Sequence, residues 1–407
     1  MRVVYYTYPH FFESAVMLSR TISLHTDFHL LLEVSPTSWE RAMFDMRRVA
    51  LCAGVQTASS TIGHHFAPQI SEYWRNVSSF NLVVHTSQKS IHPASWWTSR
   101  LAMRFIRHLK PDILHLDDPD MSVRLALNNV ELGQLPLILN VHDPSPHSGE
   151  YSWRKMLARR LIFPRVTRFI LHNENQVETF CRENGIAPDR VSVVRLGSYE
   201  VYREWISQTI KQGDRTVLFF GRLSPYKGVE VLYDAAKRVA ERIPNVRFVV
   251  AGRSESKYRP PDPPSLSRGG SIVLIPRYIG NAHLAELFEQ ATVVVCPYLD
   301  ATQSGVILTA YAFNRPVIAT TVGGLPEYVL QNETGILVPP DNSRALGDAL
   351  IELLLNPDLR TQFQNRIRSL KDDWFSWRQV ADETVAVYEN VMSSRSKQLT
   401  KRSKFDA

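Results

Sequence analysis

The residues best placed to do chemistry lie in the run Phe220-Gly221-Arg222-Leu223-Ser224-Pro225-Tyr226-Lys227-Gly228-Val229. Gly221 lets the backbone turn closely at the end of an apolar segment, and Gly228 lets it re-enter a helix. Arg222 and Lys227 can then converge on one phosphate-bearing ligand, the first as a planar fork and the second as a mobile point charge. Two cations beside a turn are often merely solvated. The order strand, Gly, Arg, four residues, Lys, Gly, helix is more restrictive than that.

A second stretch, Thr292–Glu327, has the same character. Val293–Cys296 reads as a buried strand of a parallel sheet. The polar loop Asp300–Ser304, which includes Gln303, opens a helix at Ser304-Gly305. Asn314-Arg315-Pro316 stops it, because Asn tolerates a left-handed cap and Pro cannot continue the helix. Val317–Thr320 is the next strand and runs into a Gly323-Gly324 turn with a short helix near Pro326. Helix N-termini after strand ends form a ready anion site; the same pattern serves as an ordinary pair of βα turns. In the first half, His142-Asp143-Pro144 follows a strand, as does Pro9-His10-Phe11-Phe12-Glu13. A lone His is usually structural, so His142 stays open between core and cleft.

The elements that must position these residues alternate along the chain. Val3–Tyr6, His29–Val34, Asn81–His85, Asp112–Leu116, Leu135–Val141, Phe169–His172 and Val191–Leu196 read as strands. Ser14–Leu24, Trp39–Leu51 and Ala94–Leu109 carry helical spacing. After a polar linker, Glu200–Asp214, the alternation restarts with Thr216–Phe220, a helix from Val229 to Arg242, and strands Val246–Ala251 and Ile272–Ile275. Helices follow at Ala282–Gln290, Leu346–Leu355, Leu359–Leu370 and Trp374–Val391. This predicts an α/β chain of two Rossmann-like domains facing across a cleft. The expected units are 1–205, a first Rossmann-like domain; 214–375, a second; 376–392, a helix near the domain junction; and 393–407, a basic disordered tail.

Composition narrows the function class. At 407 residues the chain suits two cores, and its ordinary charged and apolar fractions mark a globular protein. Three widely spaced cysteines form no redox or metal motif, which points to a reducing compartment and a cytoplasmic location. MRVVYYTYPHFF lacks the shape of a signal peptide, and no run of ~18 apolar residues is present. The net charge of +7 is concentrated in Arg154–Arg168 and Arg395–Lys404. With no recognisable reader motif, a nucleic-acid partner is not expected. Arg154, Lys155, Arg159, Arg160, Arg165 and Arg168 interleave with apolar residues, as in a helix lying on an anionic membrane surface or a solvated helix with one core face. Asp118-Pro119-Asp120 spells a metal pattern, but two acidic loop residues are common and no metal is assigned.

Gly221–Val229, Ala251-Gly252, Gly323-Gly324-Leu325-Pro326-Glu327 and Thr334–Pro339 resemble the retaining glycosyltransferases of family 4, whose fold is GT-B. Phe375–Tyr388 resembles that family's C-terminal helix. The resemblance is motif-specific over residues 214–390 and vaguer before them. It implies that Arg222 and Lys227 hold a donor diphosphate and that His142 meets the transferred sugar. The family's nucleobase pocket falls at Tyr278-Ile279, where Ile279 is equally well read as core. Gly221, Ser304, Gly305, Gly323 and Gly324 would line the phosphates. The family's two glutamates, separated by seven residues, fall on Ala301 and Thr309, leaving Asp300 and Gln303 as polar substitutes and one hydroxyl, on Thr309, for a ribose. Glu327 is as readily a helix cap as a ligand contact.

The implied activity moves a sugar from a UDP- or GDP-type nucleotide sugar to a saccharide or lipid-linked acceptor. It does so with retention, without a cofactor or metal, in glycan or polysaccharide biosynthesis; the basic stretch Arg154–Arg168 adds the expectation of a cytoplasmic protein able to sit peripherally on the inner face of the membrane. Two alternatives share the fold: a nucleotide-sugar epimerase, and a donor-binding pseudoenzyme without turnover.

Overall fold

The computed structural model describes residues 1–36, 51–62, 68–87, 89, 92–117, 135–144, 159–206, 215–255 and 258–405. Two sheets organise them. The first contains β1 (Arg2–Thr7), β2 (Asp27–Val34), β3 (Gly54–Thr57), β4 (Ser79–Val84), β5 (Ile113–Leu116), β6 (Leu137–Asn140), β7 (Arg168–Leu171) and β8 (Val191–Val193). Among the described residues its order is β3-β4-β2-β1-β5-β6-β7-β8. The second contains β9 (Thr216–Phe220), β10 (Arg247–Ala251), β11 (Ser271–Ile275), β12 (Val293–Cys296), β13 (Val317–Thr320) and β14 (Gly335–Val338). Its order, β11-β10-β9-β12-β13-β14, reverses between β9 and β12, and the first sheet reverses between β1 and β5. At such a reversal the connecting helices leave to opposite faces and open a crevice at the carboxyl ends of the strands.

The local chemistry accounts for these elements. Strands covered by helices on both faces need continuous apolar runs, and Val293–Cys296 is buried at every position. The helix Gly305–Ala312 ends where Asn314 takes a left-handed φ of 54° ahead of Pro316. Gly228 opens the helix Val229–Arg242 at φ 69°, and a Cβ there would lie 2.0 Å from the Pro297 carbonyl oxygen. That close approach pins the Arg222–Lys227 turn to the segment after β12.

Three features differ from the sequence reading. β3 is a short antiparallel edge strand on β4 that the sequence reading lacks; its four residues are too few for a clear alternation. Glu200–Trp205, read as linker, is a 3₁₀ helix. The C-terminal helix runs from Trp377 to Phe405 and passes through the stretch expected to be a disordered tail. Residues 393–405 contain neither Gly nor Pro and are rich in Lys, Arg and Ser, so nothing in them terminates a helix already nucleated by packing. The expected helix Trp39–Leu51 lies outside the described residues, apart from Leu51.

That final helix returns to the first sheet. Trp377 Nε1 donates to Ser198 O at 2.6 Å, and Thr21 Oγ1 donates to Trp377 O at 3.1 Å. Tyr388 reaches the sheet interior and lies 2.7 Å from His115 Nδ1. From there a buried network spans the carboxyl ends of β1, β5 and β6. His115 Nε2 lies 2.9 Å from Asn140 Oδ1, and Asn140 Nδ2 donates to Asp117 Oδ1 and to Tyr5 Oη, each at 2.9 Å. Because Asn140 Oδ1 can only accept, His115 carries its proton on Nε2, and Tyr388 donates to Nδ1. Tyr5 and Thr7 also donate to the Asp117 carboxylate.

Burial by itself pushes the Asp117 carboxyl up, but bonds from His142, Thr7 and Asn140 and the nearby His142 charge hold it down at about 2. The folded value lies below the ordinary ~3.9, so this group's stability is present above about pH 4 and lost as pH falls toward about 2. The stability gap between wild type and Asp117→Asn is expected to narrow by about 2 kcal/mol between pH ~5 and pH ~2 in denaturant titrations; an unchanged gap would contradict the assignment. Gly228→Ala is expected to cost about 3 kcal/mol or more through left-handed backbone and the Pro297 clash, seen as a lower denaturant midpoint.

Candidate active site

One wall of the cleft is built by β9, β12 and their following turns. Gly221 N donates to Ala251 O at 3.0 Å, and a Cβ at Gly221 would lie 3.4 Å from Val306 Cγ2. The Arg222 turn therefore sits against the start of the helix Gly305–Ala312. The Arg222 guanidinium is half-exposed, donates to Tyr226 Oη at 2.9 Å and pairs with Glu255 at 2.8 Å. Lys227 places its ammonium 3.6 Å from the centre of the Tyr298 ring, with the Tyr226 ring 5.1 Å away. An ammonium on an aromatic face keeps its charge while giving up part of its hydration. Tyr298 Oη in turn lies 3.3 Å from Ser304 Oγ, which links Lys227 to the same helix start.

The loop before that helix departs from the sequence reading in detail. Thr309 is buried and donates its hydroxyl to Gly305 O at 2.8 Å. That bond commits the single proton expected to serve a ribose, although the oxygen can still accept. Ala301 is buried, and Gln303 Oε1 is a buried acceptor with no partner within the described protein. Asp300 lies at the loop start and is partly exposed. Gly323 takes a φ of 50°, with its Cβ position 1.6 Å from Ala301 O, and Gly324 N donates to Thr302 O at 3.1 Å. The Gly323-Gly324 turn thus clamps the Ala301–Ser304 loop. Tyr278 is exposed, whereas Ile279 is buried in the core just before the helix Asn281–Gln290.

The opposing wall comes from the first sheet. His142 follows β6 and is buried; its Nε2 lies 2.8 Å from Asp117 Oδ1 and donates to it. The Phe11 ring stacks on the imidazole at 3.7 Å and 11°, and the His172 ring lies 4.7 Å away. Glu13 sits in the first turn of the helix Phe12–Ile22 beside this group, and burial pushes its carboxyl up to about 7. Asp143 Oδ1 accepts from Thr302 Oγ1 at 2.7 Å, which joins the two walls directly. Arg159, placed by sequence on a basic surface helix, is buried and donates to the carbonyls of Asp143 and Pro144. Its charge therefore braces the His142 loop. Arg154, Lys155 and Asp118–Asp120 lie outside the described residues.

Further contacts hold the walls together. Glu327 accepts from Glu174 N at 2.9 Å and Asn175 N at 2.7 Å, so it caps a turn of the opposite domain. Tyr328 Oη donates to His172 O at 2.8 Å, and Asn173 Nδ2 donates to Thr302 O at 3.2 Å. Asp117 and Asn173 were absent from the sequence reading; His172 stood there only as the end of a strand, and Glu13 only as the last residue of the Pro9–Glu13 stretch. For Asp117 a signal existed: an acidic residue directly after the apolar strand Ile113–Leu116 stands at the crevice end of a parallel sheet.

Comparison with known proteins agrees with this geometry. Residues 61–197 match the Glycosyltransferase Family 4 model, and residues 214–356 match the Glycosyl transferases group 1 model. The phosphatidyl-myo-inositol mannosyltransferase of Mycobacterium leprae is 28% identical over 298 residues, covering 70% of this chain and 75% of that one. The D-inositol 3-phosphate glycosyltransferase of Corynebacterium glutamicum is 24% identical over 291 residues, covering 65% and 69%. Among solved structures, Anabaena HepE in complex with UDP superposes with a TM-score of 0.62 at 14% identity, covering 96% of this chain and all of that one. Both halves and the fold agree: the chain belongs to the GT-B glycosyltransferases, with a family 4 domain followed by a group 1 domain.

Proposed function

We propose that this glycosyltransferase moves a hexosyl group from a UDP- or GDP-linked donor to a polyol, saccharide or lipid-linked acceptor, with retention at the anomeric carbon. The observation that carries the reading is the Arg222–Lys227 turn set against the start of the helix Gly305–Ala312, with the His142-Asp143 loop of the other sheet bonded through Thr302 to the loop that opens that helix. When the bond between the anomeric carbon and the phosphate oxygen breaks, negative charge builds on the departing diphosphate. Arg222, Lys227 and the N–H groups opening the helix Gly305–Ala312 meet that charge, Arg222 by exchanging Glu255 for the diphosphate. Glu255 holds Arg222 until then, and a diphosphate carries more charge than this partly exposed carboxylate.

His142, fixed by Asp117, would bond the sugar. The acceptor class draws support from relatives named for inositol-containing acceptors, and the donor class from Anabaena HepE, solved with UDP and with UDP-glucose. The proposed location is cytoplasmic, with a lipid-linked acceptor met at the membrane's inner face. Among the described residues no helix is long and apolar enough to cross a membrane.

A second reading, a donor-binding pseudoenzyme, is favoured by one observation: neither Ala301 nor Thr309 brings a carboxylate to the sugar and ribose end. The two readings separate on turnover. Nucleotide diphosphate release, measured with UDP- and GDP-sugars and inositol or saccharide acceptors, should fall by about 100-fold or more in Arg222→Ala and Lys227→Ala, since one such donor contributes about 2.7–4 kcal/mol. Both variants should keep the wild-type melting midpoint. Near-normal turnover in either folded variant would overturn the diphosphate assignment.

A further inference from the structure

Around Thr302, where the two walls meet, four buried side-chain atoms make no hydrogen bond within the described protein: His142 Nδ1, His172 Nε2, Asn173 Oδ1 and Gln303 Oε1. His142, His172 and Asn173 are 3%, 4% and 2% exposed. For two of these atoms the chemistry is fixed by what the rest of the side chain does. His172 Nδ1 lies 2.9 Å from Val194 O, a carbonyl that can only accept, so that nitrogen carries the proton. Burial first, and then the neighbouring His142, push the His172 imidazolium pKa down to about 3. The ring is neutral, and Nε2 presents a lone pair. Asn173 Nδ2 donates to Thr302 O, which leaves Oδ1 as the unmet acceptor.

Leaving a buried acceptor without a donor is costly, and a cluster of them implies a ligand that supplies O–H groups. An anion has no proton to give them. Among the described residues no group of three or more His, Cys, Asp and Glu side chains could hold a metal ion. A neutral ring carrying adjacent hydroxyls meets the requirement.

We propose that His172 Nε2 and Asn173 Oδ1, at the carboxyl end of β7, accept hydrogen bonds from hydroxyl groups of a neutral sugar or cyclitol ring held beside His142. This rests on the glycosyl-transfer reading of the same cleft and extends it to two residues that read the ligand's hydroxyls. The ring is either the transferred sugar or the acceptor, and the two sources share this chemistry.

Titration calorimetry on wild type, His172→Leu, His172→Gln and Asn173→Ala separates them, with UDP, GDP, UDP-glucose, GDP-mannose and free myo-inositol as probes. If the ring is the transferred sugar, His172→Leu and Asn173→Ala weaken the nucleotide sugars about ten-fold while UDP and GDP bind as before. If it is the acceptor, myo-inositol binding falls by that factor and the nucleotide sugars are unaffected. Either way His172→Gln, which keeps an acceptor oxygen, recovers most of the loss, which a merely structural role would not produce. Unchanged affinities for every probe in both folded loss variants would overturn the proposal and assign these atoms to buried water. So would a wild type that binds no hydroxylated probe. A wild type that binds myo-inositol through His172 yet releases no nucleotide diphosphate would keep this proposal and overturn the transfer reading.

Discussion

A buried ionised carboxylate is the constraint on which the first half of the molecule depends. Asp117 is fully enclosed, and without donors its charge would be prohibitively costly. Tyr5 and Thr7 from β1, Asn140 from β6 and His142 beyond it supply them. Satisfying that one group therefore fixes the carboxyl ends of three strands in register and sets the imidazole of His142 in a single tautomeric direction. Through Asn140, His115 and Tyr388 the same network reaches the C-terminal helix. The last element of the chain is thereby tied to the wall that faces the reaction.

The two walls are chemically complementary. The second sheet presents cations, Arg222 braced by Glu255 and Tyr226 and Lys227 seated on Tyr298. The first sheet presents imidazoles, an amide oxygen and the Glu13 carboxyl, a surface of acceptors. A nucleotide sugar is polar in the same sense, with a diphosphate at one end and a hydroxyl-rich ring at the other. The junction between the walls is itself hydrogen-bonded, by Asp143 to Thr302, Tyr328 to His172 and Glu327 to the turn at Glu174. Changes in one wall are therefore felt in the other through short paths of a few bonds.

How much of this is legible in the sequence depends on how local each device is. The phosphate end is contiguous: from the last strand residue, Phe220, through Gly221, Arg222, Lys227 and Gly228 to the first helix residue, Val229, is ten residues, and the Ser304-Gly305 and Gly323-Gly324 turns are equally compact. Asn314 and Pro316 end a helix as their backbone preferences require. The acceptor wall is different in kind. Its parts, Tyr5, Glu13, Asp117, Asn140, His142 and His172, are spread over some 170 positions and meet only because parallel strands bring their carboxyl ends together. No spacing rule announces such a cluster. Glu327 was left open between cap and ligand contact; its carboxylate accepts from backbone N–H groups of the opposite domain, a partner no local pattern could name.

The most direct test of the account follows one reaction by NMR, with an α-configured nucleotide sugar, an inositol or saccharide acceptor and the wild-type protein. The account predicts an α-linked product appearing together with an equal amount of nucleotide diphosphate. A β-linked product would contradict retention. Conversion of the donor sugar without diphosphate release, or nucleotide binding with no reaction across the acceptors, would contradict glycosyl transfer at this cleft.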